Sequence, residues 1–317
     1  MPEKIFLPVI AGPTASGKTS CAVELCKMRG GEVVSADSMQ VFRGMELLSA
    51  APSAEEMQGI PHYMIGIATP SEPFSAAIYR DKAVQCISAI NARRKMPVLC
   101  GGTGLYIDAI TRPMKFSEQG NEELRAELHA IADEPGGRER LHAMLAEIDP
   151  ESAHRLHYND VRRVVRAIEV FRLTGITLTE QNRRDAQKKG DFDEMIFAID
   201  RPRNELYERI DARVDMMLKS GLLDEVRALM ELSEEHPTAT QAIGYKEIAS
   251  ALKGDIPLSY AIDKVKQSSR NYAKRQITWL KRDGRTIWIN ASGRSAEAVA
   301  SEISERIDKR CTNGQQD

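Results

Sequence analysis

The chain has 317 residues, enough for one large domain or two smaller ones. Hydrophobic residues make up 42% and charged residues 28%, the profile of a globular protein. A net charge of −2 excludes nucleic-acid binding through overall positive charge, so only a local concentration of charge can argue for it.

The apolar N-terminus, Ile5-Phe6-Leu7-Pro8-Val9-Ile10-Ala11, reads as a buried strand. It is too short to span a bilayer and lacks the basic start and cleavage region of a signal peptide. Directly after it, Gly12-Pro13-Thr14-Ala15-Ser16-Gly17-Lys18-Thr19 fits G-x-x-x-x-G-K-[ST], the P-loop pattern of ATP-binding and other nucleotide-binding proteins. Ser20 to Met28 then reads as a helix with Val23, Leu25 and Cys26 as apolar positions. Strand, glycine loop and helix together predict a diphosphate or triphosphate site: converging backbone N–H groups, the helix N-terminus and Lys18 meet the phosphates, and the Thr19 hydroxyl faces Mg²⁺.

Glu32–Asp37 reads as a second strand ending in an acid, Tyr79–Arg93 as a helix, and Met96–Cys100 as a third strand closed by Gly101-Gly102. Strands alternating with helices predict a parallel α/β sheet. The character changes near Lys115. From Glu122 to about Gln187 only helical periodicity is visible, with Asp149-Pro150-Glu151-Ser152 opening a helix that runs through Val161, Val164, Val165, Ile168 and Phe171. This region is expected to be a helical insertion over 118–194, with a core formed by 1–117 and 195–311. Met195–Asp200 returns to strand character, Asn204–Leu232 is helical, and helices continue to about Trp279. A last strand is expected at Arg285–Ile289, an amphipathic helix at Ser295–Lys309, and a disordered tail from Thr312 to Asp317.

Carboxyl ends of strands line the ligand crevice of open α/β sheets, which puts Asp37 near Lys18 and Thr19. There it either holds Mg²⁺ through water, accepts a proton, or caps a turn with Ser38. Gly101-Gly102-Thr103-Gly104 faces the same crevice, as an anion-binding turn or an ordinary strand-to-helix turn. Between Val161 and Arg184 the local balance is +4, and between Lys264 and Arg285 it is +7. Tyr272 and Trp279, interleaved in the second cluster, suit stacking beside phosphate neutralisation. The cysteines Cys21, Cys26, Cys86, Cys100 and Cys311 form no C-x-x-C pair, which suits reduced thiols in a cytoplasmic protein. His154 and His157 read as surface residues, not as metal ligands.

Seven blocks in order resemble the tRNA dimethylallyltransferase (IPP transferase) family. They are the P-loop; Asp37-Ser38-Met39-Gln40; Gly101-Gly102-Thr103-Gly104-Leu105-Tyr106; Asn159-Asp160-Val161-Arg162-Arg163 with Arg166-Ala167-Ile168-Glu169-Val170; Arg209-Ile210-Asp211-Ala212-Arg213-Val214-Asp215; Gln241-Ala242-Ile243-Gly244-Tyr245-Lys246; and Lys274-Arg275-Gln276-Ile277-Thr278-Trp279-Leu280. Departures are Phe42 for a usual tyrosine, Ser49-Ala50-Ala51-Pro52 for T-A-K-P, and His62-Tyr63-Met64-Ile65-Gly66 for H-H-L-I-D. The zinc finger of longer eukaryotic members is absent.

The resemblance implies a P-loop NTPase-like parallel sheet core with an inserted all-helical domain that embraces the anticodon stem-loop. It implies an enzyme that moves a dimethylallyl group from dimethylallyl diphosphate to N6 of the adenosine just 3′ of the anticodon. No apolar run approaches the roughly 20 residues needed to cross a bilayer, so no membrane partner is expected, and a monomer is expected. Carried over by motif, Gly12 to Thr19 and Arg213 bind diphosphate, Lys18 and Thr103 hold the leaving group, Thr19 binds Mg²⁺, and Asp37 is the general base. The segments Asp37 to Gln40, Val161 to Val165, Gln241 to Lys246, and Lys274 to Lys281 touch tRNA. Prenylation of a free adenine nucleotide, a P-loop small-molecule kinase with an arginine-rich lid, and a non-catalytic RNA-binding protein are the rival readings.

Overall fold

A computed structural model describes residues 4–114, 121–188, 190–232 and 238–313. In chain order the elements are β1 (Phe6–Ala11), α1 (Lys18–Arg29), β2 (Gly31–Ala36), α2 (Ala54–Met57), β3 (His62–Tyr63), α3 (Ala76–Ala92), β4 (Met96–Gly101), α4 (Gly104–Thr111), α5 (Glu122–Asp133), α6 (Gly137–Ile148), α7 (Pro150–Arg155), α8 (Val161–Thr174), α9 (Leu178–Ala186), β5 (Asp193–Asp200), α10 (Arg203–Lys219), α11 (Leu222–Leu232), α12 (Tyr245–Lys253), α13 (Leu258–Arg282), β6 (Thr286–Asn290) and α14 (Ala296–Asn313).

The strands form one six-stranded sheet in the order β3-β2-β4-β1-β5-β6. Every pairing is parallel. Alternation along β1 sends Leu7, Val9 and Ala11 into one apolar layer, with Tyr79, Ile87 and Ile107 of α3 and α4. Ile10 joins the opposite layer, with Leu25 of α1 and Ile303 of α14. Helices on both faces explain why β2 is buried at every position. The register sets Ala11 and Ala36 both opposite Gly101, so β1, β2 and β4 end at one level and their loops open side by side. Gly101 permits this: a Cβ there would lie 2.2 Å from the Ala36 carbonyl oxygen.

The chain divides into two compact units, Met1–Thr111 with Asp191–Asp317, and Arg112–Gly190. The boundary expected at 117/118 lies outside the described residues. In the second unit, Leu128, Leu141, Leu145, Val164 and Ile168 form the core. Glu169 of α8 is fully buried there and meets Arg125 (2.8 Å) and Arg166 (2.5 Å), while accepting from Asn121 N–H (3.0 Å). Asp149 caps α7 and accepts four hydrogen bonds, from the N–H and hydroxyl groups of Ser152 and Thr179.

The structure corrects several expectations. The helix expected from Asp149 through Phe171 is two, α7 and α8, interrupted at 156–160. The interruption places His157 outside the helix, and His154 and His157 are both exposed. Helix α14 continues through Thr312 and Asn313, which were assigned to the tail; 314–317 lie outside the described residues. The short edge strand β3 and helix α2 have no counterpart in the sequence reading.

Candidate active site

The loops at the carboxyl ends of β1 and β2, together with α10 and α13, line a cavity of about 280 Å³; the loop after β4, with Thr103, lies outside its wall. One part of its wall is polar, with Thr14, Lys18, Asp37, Arg213 and Gln276; another is apolar, with Leu48, Ile210, Val214, Met217, Ile243 and Val265.

The P-loop takes its shape from two left-handed residues, Gly17 (φ 95) and Ala15 (φ 63). Only glycine adopts such values without cost, so Ala15 is a strained position held by its surroundings. Gly12 answers a packing demand instead: a Cβ would sit 2.6 Å from Ser16 Oγ. Lys18 opens α1 and donates to the Pro13 carbonyl at 3.4 Å. Burial lowers its pKa, with Arg213 adding to the effect and Cys100 and Asp37 opposing it. A half-buried cation in the first turn of a helix that follows a glycine-containing loop is a receptor for phosphate oxygens. Thr19 lies half-buried in the first turn of α1 and is not part of the cavity wall.

Asp37 follows β2 and lines the cavity. Its Oδ1 accepts from Met39 N–H at 3.0 Å, a turn-closing bond, and among the described residues Oδ2 carries no hydrogen bond. Thr103 fastens the neighbouring loop. Its N–H donates to Ala36 O (3.1 Å), and its Oγ1 accepts from Ser38 N–H (3.0 Å). Arg213 reaches in from α10 and donates to Ala50 O at 2.8 Å. Burial lowers its pKa, against the opposing charges of Glu56 and Asp37. The same carbonyl accepts from Gln40 Nε2 at 3.3 Å.

A family model described as IPP transferase matches residues 40–283. The tRNA dimethylallyltransferase of Staphylococcus carnosus (strain TM300) is 41% identical over 316 residues, covering 97% of this chain and 98% of that protein. The chain belongs to the IPP transferase family. The namesake enzyme of Halalkalibacterium halodurans is 43% identical over 291 residues, 92% of each. A crystal structure of a tRNA isopentenylpyrophosphate transferase from Staphylococcus epidermidis matches with a TM-score of 0.71 at 41% identity, over 97% of this chain and all of that one. A eukaryotic dimethylallyltransferase acting on tRNA matches with a TM-score of 0.84 at 26% identity, over 98% of this chain and 80% of that one.

The chain brings Lys18, Asp37, Ser38, Met39, Gln40, Arg213, Gln241, Ala242, Ile243, Arg275 and Gln276 to one cavity wall, and leaves Thr19 and Thr103 outside it. Other residues assigned to RNA contact serve packing. Val164 and Val165 are buried in the helical unit, so the face left outward by that segment carries Arg162 and Arg163. Tyr245 and Leu280 are core residues, and Ile277 packs on Leu206 and Ile210. Lys246, Lys274, Arg275, Thr278 and Lys281 are exposed. Trp279 is not a free stacking surface: its indole lies over Gly104, where a Cβ would come within 2.5 Å, and donates to Asp108 Oδ2 at 3.2 Å. Tyr272 stands in the cavity wall under the Arg275 guanidinium, and burial together with the Asp37 charge pushes its phenol up to about 12. The +7 segment is also less basic in space than in sequence. Lys266 pairs with Asp215 (2.6 Å), Arg270 with Asp211 (2.5 Å), and Arg285 with Asp283 (2.6 Å) and Glu194 (2.8 Å).

Sequence reasoning missed Glu225. Its carboxylate comes from α11 to accept from Leu47 N–H (2.8 Å) and Leu48 N–H (2.6 Å), setting the loop that carries Leu48, Ser49 and Ala50 into the cavity. No local pattern marks it, because its partners lie far away in the chain. Two departures from the family pattern have structural explanations. Phe42 is a core residue packed edge-on against Phe74, and Gly66 has a left-handed φ of 59. Among the described residues no cluster of metal-binding side chains occurs, and no helix is long and apolar enough to cross a membrane.

Proposed function

We propose that this chain transfers a dimethylallyl group from dimethylallyl diphosphate to the N6 amine of the adenosine 3′-adjacent to the anticodon in tRNA. The observation that carries this reading is the mixed cavity: a phosphate-binding loop with Lys18 and Arg213 shares a space with the hydrocarbon wall of Leu48, Val214, Met217 and Val265. An allylic diphosphate has this polarity, a polyanionic head on an apolar stem. The P-loop N–H groups, Lys18 and Arg213 stabilise negative charge as it builds on the departing diphosphate. The allylic C–O bond breaks, the N6–C bond forms, and the N6 proton passes to Asp37, whose Oδ2 is free to take it.

Magnesium would be held by the Thr19 hydroxyl and, through water, by Asp37; of the two only Asp37 lines the cavity. When bound, it would supply further charge neutralisation of the diphosphate. The exposed Lys274, Arg275 and Lys281 of α13 supply cations for an RNA backbone. The target base must leave its stack to reach the cavity.

The test is incubation with radiolabelled dimethylallyl diphosphate and unmodified tRNA, followed by nucleoside analysis, with AMP and ATP arms in parallel. Label in N6-(dimethylallyl)adenosine of tRNA is expected. Label in AMP instead would establish the free-nucleotide reaction, and phosphate transfer from ATP would establish a kinase.

A further inference from the structure

Gln276 lies in a segment assigned to RNA contact by its motif, yet it is only 5% exposed and points the other way. Its Oε1 accepts from the Thr14 N–H of the P-loop at 2.9 Å. Its Nε2 donates to the Gly102 carbonyl, beyond the end of β4, also at 2.9 Å. One carboxamide thus bridges the P-loop, which lines the cavity, and the loop after β4, from a helix far away in the chain. Gly102 makes room for it: a Cβ at that position would lie 2.1 Å from Gln276 Nε2.

The geometry points to Gln276 as a positioning residue for the diphosphate loop, the inward counterpart of the cations that α13 turns outward. The inference rests on the diphosphate chemistry of the proposed function, not on the identity of the prenyl acceptor. Thr14 precedes Ala15, the strained left-handed residue of the loop. Tying the Thr14 N–H to α13 fixes the loop where that strain is stored, and a loop fixed beforehand spends no binding free energy on ordering. The requirement is chemically narrow. The bridge needs an acceptor and a donor on one planar group at this reach, which glutamine has. Glutamate presents an oxygen to the Gly102 oxygen, and leucine leaves the buried Gly102 carbonyl and the half-buried Thr14 N–H without this partner. The same face of α13 carries Tyr272, whose hydroxyl interacts with Thr103 and Gln276, and Trp279, seated on Gly104. Helix α13 therefore touches the P-loop and the Gly101–Gly104 loop while its Lys274 and Arg275 stay exposed.

The experiment compares Gln276→Glu, Gln276→Leu and Gly102→Ala, the last displacing the carboxamide from the opposite side. Inorganic pyrophosphate affinity is measured by calorimetry without RNA, alongside KM and kcat for dimethylallyl diphosphate, stem-loop affinity and thermal melting. Each variant should weaken pyrophosphate binding and raise KM by about tenfold, the size expected when one buried hydrogen bond is left unmade. Stem-loop affinity should change less than about twofold. Gln276→Leu combined with Gly102→Ala should be no worse than either alone, because both remove one bridge. Unchanged pyrophosphate affinity and KM in folded variants, or additive losses in the double variant, would overturn the assignment. Pyrophosphate binding does not depend on the acceptor, so a wrong acceptor would leave this result standing.

Discussion

Trp279 separates packing from recognition on α13. Replacing it with alanine removes an indole that covers Gly104 and bonds to Asp108. Truncating a fully buried tryptophan costs about 3–5 kcal/mol. Trp279 keeps part of its surface in solvent, which scales the expected loss to about 2–3 kcal/mol. At roughly 2–4 °C per kcal/mol for a unit of this size, melting should fall by about 4–12 °C. Trp279→Phe retains the ring contact but not the Nε1–H bond and should lose about 1 kcal/mol. Urea unfolding followed by far-UV circular dichroism gives these values, and fluorescence anisotropy of a labelled anticodon stem-loop gives RNA affinity at a temperature where both variants are folded. The alanine variant should keep its RNA affinity within about twofold. Base stacking is worth about 1–3 kcal/mol per base. A variant of unchanged stability whose RNA affinity dropped tenfold would refute the packing assignment and restore the indole as a stacking platform.

Other substitutions test the cavity and the helical unit. Lys18→Ala should reduce turnover by about 10²–10³, typical of removing one oxyanion-stabilising group, with melting little changed; full turnover in the folded variant would remove Lys18 from the chemistry. Asp37→Asn keeps an acceptor for Met39 N–H and should cut turnover by about 10²–10⁴, with stem-loop affinity nearly constant; rescue of the rate by added Mg²⁺ would make Asp37 a metal ligand instead of the base. Lys274→Ala with Arg275→Ala should flatten the salt dependence of RNA binding by about 0.7 per contact on single strands. Lys266→Ala, which removes a cation already paired with Asp215, should leave that slope unchanged. Burial works to raise the Glu169 pKa, but Arg166 and Arg125 outweigh it and hold the carboxyl below its usual range. Asp149 is lowered in the same way, its hydrogen bonds with Thr179 and Ser152 outweighing burial. A depressed folded-state pKa gives stability that is present above the unfolded value and lost as pH falls through the folded one. Hydrogen-exchange protection over 121–188, taken relative to the intrinsic exchange rate at each pH, should therefore fall in acid below the ordinary carboxylate range, and Glu169→Gln should remove part of that dependence; an identical acid profile in the variant would show that Glu169 contributes none of it.

Local pattern carried most of the core. The P-loop, the strand ends at Ala36 and Gly101, and the helices on either side are announced by runs of apolar residues and glycines. The break between α7 and α8 was less legible, because Val161, Val164 and Ile168 continue an apolar period across Leu156–Asp160 and only tertiary packing decides where a helix stops. Strand β3 contributes just His62 and Tyr63, too short for any period to register. Charge counting overstated the basic segment, since Asp211, Asp215 and Glu194 come to Arg270, Lys266 and Arg285 from elements outside it. Glu225, and the loop-bridging role of Gln276, which the motif assigned to RNA contact, were not legible for the same reason: a side chain that bonds a distant backbone N–H leaves no trace in its own neighbourhood.

The strand order has a consequence for synthesis. Strand β1 lies between β4 and β5, and β5 follows the inserted unit in the chain. At roughly 5–20 residues per second, the residues of Arg112–Gly190 take on the order of ten seconds to leave the ribosome. Throughout that interval the phosphate loop is already translated, but one edge of its own strand has no partner. Such an edge is a template for pairing with another chain. The helical insertion, whose contacts are local in sequence, folds quickly by comparison. The nascent chain is thus most vulnerable to aggregation in a window set by the length of its own insertion, and shortening that segment would narrow the window without altering a single contact in the sheet.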